Sequence, residues 1–239
     1  MRALKKLKNS KTSDDGATKS ALNPGSKTQR HSISLQVRIG DSQDFFQATS
    51  LRRSVYQLNK NVVMSKRKLT EIVQAAIETS PSAFDSQPVR AVLLLNDSHD
   101  HLWKEIVPNV LRQSIRKENW EHTGRKLESF ARAAGTVLFF EDLEVITTMQ
   151  KQYPLYSTQF STWASQTSGA TQINTWCALA LEGLGANLQH YSPVIDSEVR
   201  VAFKIPANWQ LTAQLVFGGI EGPVSKKPKR VGDTVRVID

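Results

Sequence analysis

The sequence predicts an α+β domain: a mixed, mostly antiparallel sheet of four or five strands flanked by helices. Two apolar runs of strand length, VRAVLLL at 89–95 and TVLFF at 136–140, bracket a long polar stretch with helical spacing. A second long helical pattern at 165–184 carries almost no charge. Further strand-length runs follow at 187–191 and 211–217, so strands and helices interleave along the chain and nothing repeats at a fixed period.

Each element has a local cause. A first helix begins near Ser42. Ser65 then suits a helix N-cap, and Leu69, Ile72, Val73, Ala76 and Ile77 follow at the spacing of one helical face. Ser80-Pro81 ends that helix, because a residue before proline is driven out of the α region. Residues 89–95 read as a strand buried on both faces, closed by the turn-prone Asn96-Asp97-Ser98, with His99 and His101 solvated beside it. Residues 99–132 fit two helices perturbed by Pro108 and Gly124. After the second strand a short helix begins near Asp142. The helix at 165–184 has no solvent face of its own, which makes it central or interfacial, and Gly185 stands at its C-terminal cap. A helix at 197–203 and an edge strand at Thr234-Val235-Arg236-Val237 complete the pattern.

Composition narrows the classes. The chain has 239 residues, 39% hydrophobic and 22% charged, with Cys177 as its one cysteine, so a disulfide scaffold is excluded and a reducing compartment, the cytoplasm, is expected. No apolar run approaches the ~20 residues a bilayer requires. The net charge of +9 is concentrated in residues 1–40, where nine lysines and arginines face Asp14 and Asp15. This leader, rich in Ser, Thr, Lys, Gly and Asn, has too little apolar surface to offset ordering entropy and is expected to be a disordered tail. A mitochondrial presequence is the alternative for it. The domain proper then runs over 41–239.

Familiar catalytic arrangements are missing. The sequence holds no Walker loop, HExxH or GxSxG, and its five histidines have no partners at metal-ligand spacing. That favours an imported cofactor or no chemistry at all. Three segments stand out. Arg52-Arg53-Ser54 groups two guanidinium forks and a hydroxyl, which suits an anion such as phosphate or, equally, a solvated charge pair. SPSAFDSQPVR at 80–90 offers amides and the Gln87 carboxamide to a heterocycle edge, or is a plain helix-to-strand connection. GLGANLQHYSP at 183–193 permits close backbone approach to a ligand, or is an ordinary helix cap.

In this order, and followed by Phe217-Gly218-Gly219 and the cluster Lys226-Lys227-Pro228-Lys229-Arg230, these motifs resemble the FMN-dependent nitroreductase family, in its smaller fungal and bacterial branch, over about residues 42–239. The resemblance implies a homodimer with FMN at the subunit interface, passing hydride from NADPH or NADH to nitroaromatic or quinone acceptors by a ping-pong cycle. It implies that Arg52, Arg53 and Ser54 hold the ribityl phosphate or the N1/C2 edge, with Lys226, Lys227 or Lys229 completing the phosphate site. Asp85 and Gln87 would face the pyrimidine edge from one subunit, and backbone at Gly185 and Ala186 would lie near N5. The C-terminal TVRV would be an arm reaching over the partner subunit. Side chains over the flavin would come from 103–130 or 153–163.

One departure is chemical. The family usually has Asn where this chain has Asp85, and an ionised carboxylate only accepts hydrogen bonds, so it would need Arg90, Arg52, Arg53 or the flavin N3 proton as partner. Two alternatives to the oxidoreductase follow: a flavin-binding or flavin-less regulatory protein of the same fold, and a nucleic-acid module driven by the basic leader. The basic residues lack interleaved aromatics, so no specific nucleic-acid partner is expected.

Overall fold

The computed structural model describes residues 42–224, 232 and 234–238; the leader at 1–40 and the lysine cluster at 226–230 lie outside the described residues. The elements run α1 (Ser42–Leu51), β1 (Leu58–Asn59), α2 (Lys66–Thr79), β2 (Val89–Leu95), α3 (Asn96–His101), α4 (Val107–Ser114), α5 (Trp120–Ala131), β3 (Gly135–Asp142), α6 (Leu143–Gln152), α7 (Phe160–Leu181), β4 (Gly185–Gln189), α8 (Asp196–Phe203) and β5 (Trp209–Ile220).

The sheet order is β1-β5-β3-β2, with β4 also on β5. All four ladders are antiparallel, and parallel pairing is confined to an isolated bridge between Ser54 and Ala186. β4 pairs with 214–218 and β1 with 219–220, so the two share one edge of β5 end to end. β3 is buried along its whole length. Its Leu138 and Phe140 face a core built with α4, α5 and α8, while Val137 and Phe139 face a core built with α2 and α7. The period of two along one strand thus divides the apolar residues between two layers of helices.

Ser65 caps α2, its Oγ accepting from Lys68 N at 3.2 Å, and the Leu69-Ile72-Val73-Ala76 face is buried. Asp142 caps α6 in the same way through Glu144 N. Several expectations are corrected. β2 is an edge strand and only half-buried, because it pairs with β3 alone. Asn96 turns the chain with a φ of 50°, but α3 starts at once in place of a loop. α7 begins at Phe160, five residues earlier than the charge pattern implied, and is stopped by Gly183 in the left-handed region (φ 81°), not by Gly185. Gly185 opens β4, where a Cβ would come within 2.7 Å of Leu58. Residues 234–237 form no strand and are exposed.

His99 is the largest correction. It is fully buried and joins a chain of hydrogen bonds whose direction its partners fix. Trp103 Nε1 donates to Thr136 Oγ1 (2.8 Å), the Thr136 hydroxyl donates to His99 Nδ1 (2.9 Å), and Nε2 donates to the Phe130 carbonyl (3.1 Å). The carbonyl can only accept, so the ring is the neutral Nε2–H tautomer. The chain ties α3, β3 and α5 together beneath the apolar core. Burial lowers the His99 pKa from 6.5 to about 4. His101 is half-exposed and pairs with Glu105 at 3.1 Å.

Two stability measurements follow. The unfolded chain protonates His99 below about pH 6.5 while the folded chain resists until about pH 4, so this stability is complete above 6.5 and is lost as pH falls between the two. Urea unfolding should show wild type losing about 3 kcal/mol more than His99→Gln across that window. Gly218→Ala would bring a Cβ to 2.5 Å from the Asn59 carbonyl. A loss of about 1–3 kcal/mol is expected from that overpacking, read as a lower urea midpoint.

Candidate functional site

Residues 52–54 leave α1 and are clamped to the sheet. Ser54 bridges Ala186, Val55 N donates to the Ala186 carbonyl (2.9 Å), and Asn187 Nδ2 donates to the Val55 carbonyl (2.8 Å). Asn187 is itself held by Gln189 Nε2 at 2.8 Å. These buried amides spend their polarity on one segment, which fixes where the two arginines start. The Arg52 guanidinium lies 4.4 Å over the Trp176 ring of α7, a cation–π contact that stiffens it. Arg52 and Arg53 share a shallow recess of about 420 Å³ with Thr49, Ser50 and Ile173.

Both arginines are half-buried as residues, and among the described residues neither has a carboxylate within ion-pair distance. Trp176 Nε1 is buried with no acceptor among those residues. Unbalanced cations beside the exposed Ser54 hydroxyl are a donor set for an anion. A bound phosphate fits that chemistry. Nearby, burial pushes the Cys177 thiol up, with Arg52 opposing the shift.

The 80–90 segment is strained. Phe84, Asp85 and Gln87 have φ of 55°, 50° and 48°, a region that costs a non-glycine residue about 1–2 kcal/mol. Local bonds hold it: Ser82 Oγ accepts from Gln87 N (2.9 Å), and Arg90 Nη1 donates to the Gln87 carbonyl (2.8 Å). Arg90 pairs with Asp142 at 3.0 Å and so does not serve Asp85. Instead Gln87 Nε2 donates to Asp85 Oδ1 (3.0 Å), on the protein surface.

The strain displays Phe84, which is 48% exposed and packs on Tyr153 (4.5 Å between centroids), Phe160 (5.6 Å), Tyr156 (5.8 Å) and Trp163 (6.0 Å). Of the two segments expected to cover a ligand, 153–163 supplies this patch and Trp103 is buried in the core. Phe84 was not singled out by sequence, although the aromatic spacing of 153, 156, 160 and 163 marks the helical stripe it rests on. Trp176, Asn187 and Gln189 were also missed.

Gly185 and Ala186 are buried inside β4, where the Ala186 carbonyl is already used by Val55. Ala186 is the residue that anchors Ser54 and Val55 to the strand. Lys226, Lys227 and Lys229 lie outside the described residues. Arg52 sits at Trp176 and Phe84 at Trp163, thirteen residues apart on α7, which at 1.5 Å per residue is about 20 Å along the helix. The arginine recess and the Asp85–Gln87 turn are therefore at different levels of one chain.

The family model described as the nitroreductase family matches residues 50–219. A Saccharomyces cerevisiae protein provisionally named nitroreductase HBN1 is 35% identical over 187 residues, 77% of this chain and 91% of its own. Nitroreductase CinD of Lactococcus lactis has been solved with nicotinic acid, chloramphenicol and 4-nitrophenol. Its nicotinic acid complex has a TM-score of 0.76 at 41% identity, covering 82% of this chain and all of its own. A provisionally named nitroreductase of Desulfovibrio desulfuricans, solved with FMN, shares the fold at a TM-score of 0.53 and 19% identity, over 78% of this chain and 91% of its own. A match across most of the chain, together with relatives this similar over most of their length, makes the chain a member of the nitroreductase family.

Proposed function

We propose that this protein is an FMN-dependent oxidoreductase that takes hydride from NADPH or NADH and passes it to nitroaromatic, quinone or related acceptors in a ping-pong cycle, working as a homodimer. The observation that carries the proposal is the pair of half-buried arginines, Arg52 and Arg53, beside Ser54 and without a carboxylate partner among the described residues, Arg52 being held on Trp176. Bound FMN would supply a hydride-accepting atom, which accounts for a sequence without a nucleophile–base pair.

The chain's own residues then divide the work. Arg52, Arg53 and Ser54 would hold the phosphate or the N1/C2 edge, where a cation would favour developing negative charge. Lys226, Lys227 and Lys229 would add charge to the phosphate site. Asp85 and Gln87 would face the pyrimidine edge, with Asp85 acting as an acceptor. Gly185 and Ala186 contribute through the strand that locates Ser54. The ~20 Å along α7 between the two groups supports a composite site, in which the arginines of one subunit meet the Asp85–Gln87 turn of the other. The exposed Phe84–Tyr153–Tyr156 patch gives such a site an aromatic wall for planar acceptors.

The deciding experiment is an absorbance spectrum of the purified protein, taken before and after anaerobic addition of each nicotinamide donor. Flavin bands that bleach with donor and return with 4-nitrophenol or a quinone are expected. A colourless protein that added FMN does not reconstitute would overturn the proposal and favour the flavin-less regulatory alternative. Arg52→Ala should weaken FMN retention by about tenfold to a hundredfold, the effect of losing a charged hydrogen bond. Asp85→Asn keeps an acceptor for Gln87 and adds a donor for a flavin carbonyl, so tighter FMN binding at unchanged melting temperature is expected; weaker binding would mean the carboxylate has a partner of its own.

A further inference from the structure

On the face of the sheet opposite Trp176, α4, α5 and β1 enclose a cavity of about 710 Å³ that none of the site residues above lines. Its floor is Leu58, Trp103 and Leu127, all buried, and its walls include Trp120 and Pro108. Two features of the chain make it. Between α3 and α4 a π turn, Leu102–Ile106, sends Val107 N to the Leu102 carbonyl, and it carries both Trp103 and Lys104; such turns recur at functional sites. On α5, Gly124 leaves its side of the cavity bare. A Cβ there would meet only Trp120, at 3.6 Å, an ordinary contact. Packing therefore does not require this glycine, which costs an interior helix position about 1 kcal/mol relative to alanine. What the glycine preserves is space.

The rim is charged with an excess of cations. Lys60 and Lys104 share a single carboxylate, Asp100, at 2.8 Å each. Arg112 lies 4.5 Å over the Trp120 ring, and among the described residues neither it nor Arg132 has an ion pair. Against these stand Glu128 and Glu221. With Asp100 counted, the rim holds four cations and three carboxylates, one positive charge in excess.

We propose that this cavity is a second ligand site, for a small aromatic monoanion whose ring lies against the Trp120 indole over the apolar floor and whose acid group meets Arg112 and Arg132. The volume is that of a typical small-molecule pocket, the Trp120 wall suits a planar ring, and the single excess charge sets the charge of the ligand. The site is separate from the arginine recess and does not depend on how FMN binds.

The test uses the full-length protein and two fluorescent probes, the anionic 1-anilinonaphthalene-8-sulfonate and its neutral relative N-phenyl-1-naphthylamine. Saturable binding of one anionic probe per chain is expected. Gly124→Leu should fill the cavity, weaken that probe at least tenfold and raise the melting temperature, since leucine is the better helix former. Arg112→Gln and Arg132→Gln should each weaken the anionic probe about fivefold and leave the neutral one unchanged. Binding by Gly124→Leu equal to wild type would overturn the proposal. So would an equal loss of both probes in the arginine variants, or displacement of the anionic probe by saturating FMN, which would make the cavity part of the flavin site.

Discussion

Two strands share one edge of β5, and the rest of the site depends on that arrangement. β4 takes residues 214–218 and β1 takes 219–220, which is possible because Gly218 and Gly219 present no side chain to the chain passing over them. A Cβ at either would approach residues 59–61 within 2.5 Å. With both strands on one edge, the connection between α1 and β1 must run beside β4. Ser54 and Val55 bond to Ala186 there, and Arg52 is delivered to Trp176. The glycines of the FGG motif therefore act on the site from a distance, through backbone clearance.

Buried polarity in this fold is spent on holding segments that apolar packing would leave loose. Asn187 and Gln189 are buried in β4 opposite Val216 and Gln214 of β5, and their amides are used to hold the Val55 carbonyl and each other. The His99–Thr136–Trp103 chain does the same on the other face, fixing α3 against β3 and α5. Each buried group left unpaired would cost about 1–3 kcal/mol, so these networks specify geometry as well as stability.

The order of helices and strands was legible because it depends on signals that a single stretch of sequence carries: the Leu69-Ile72-Val73-Ala76 face, the TVLFF strand, the Ser65 cap and the helix start near Asp142. What escaped depends on neighbours distant in sequence. β1 is two residues long and exists only because β5 offers an edge. His99 looked solvated beside Asp97 and Asp100, but Thr136 and Phe130, more than thirty residues away, enclose it. Gly185 reads as a cap in sequence because the clash that requires a glycine there, with Leu58 and Ile220, is not local. For the site, the hydrogen-bond donors that Arg52, Arg53 and Ser54 offer follow from residue type, whereas the Trp176 stack and the display of Phe84 follow from tertiary packing.

α1 bears directly on how far the arginine recess is preformed. No residue of this ten-residue helix is buried in the single chain, and Phe45, Phe46 and Leu51 are each more than half exposed. An isolated helix of that length is marginal in water. Leu181 and Ile173 on α7 are exposed as well, so the apolar surface continues from α1 onto the helix that carries Trp176. In the proposed dimer the partner subunit would cover this surface, and the same contact would bring its Asp85–Gln87 turn to Arg52. Covering apolar area and completing the site would then be one event: association would offset the entropy of ordering α1, and Arg52, already held on Trp176, would gain the second half of its ligand's surroundings.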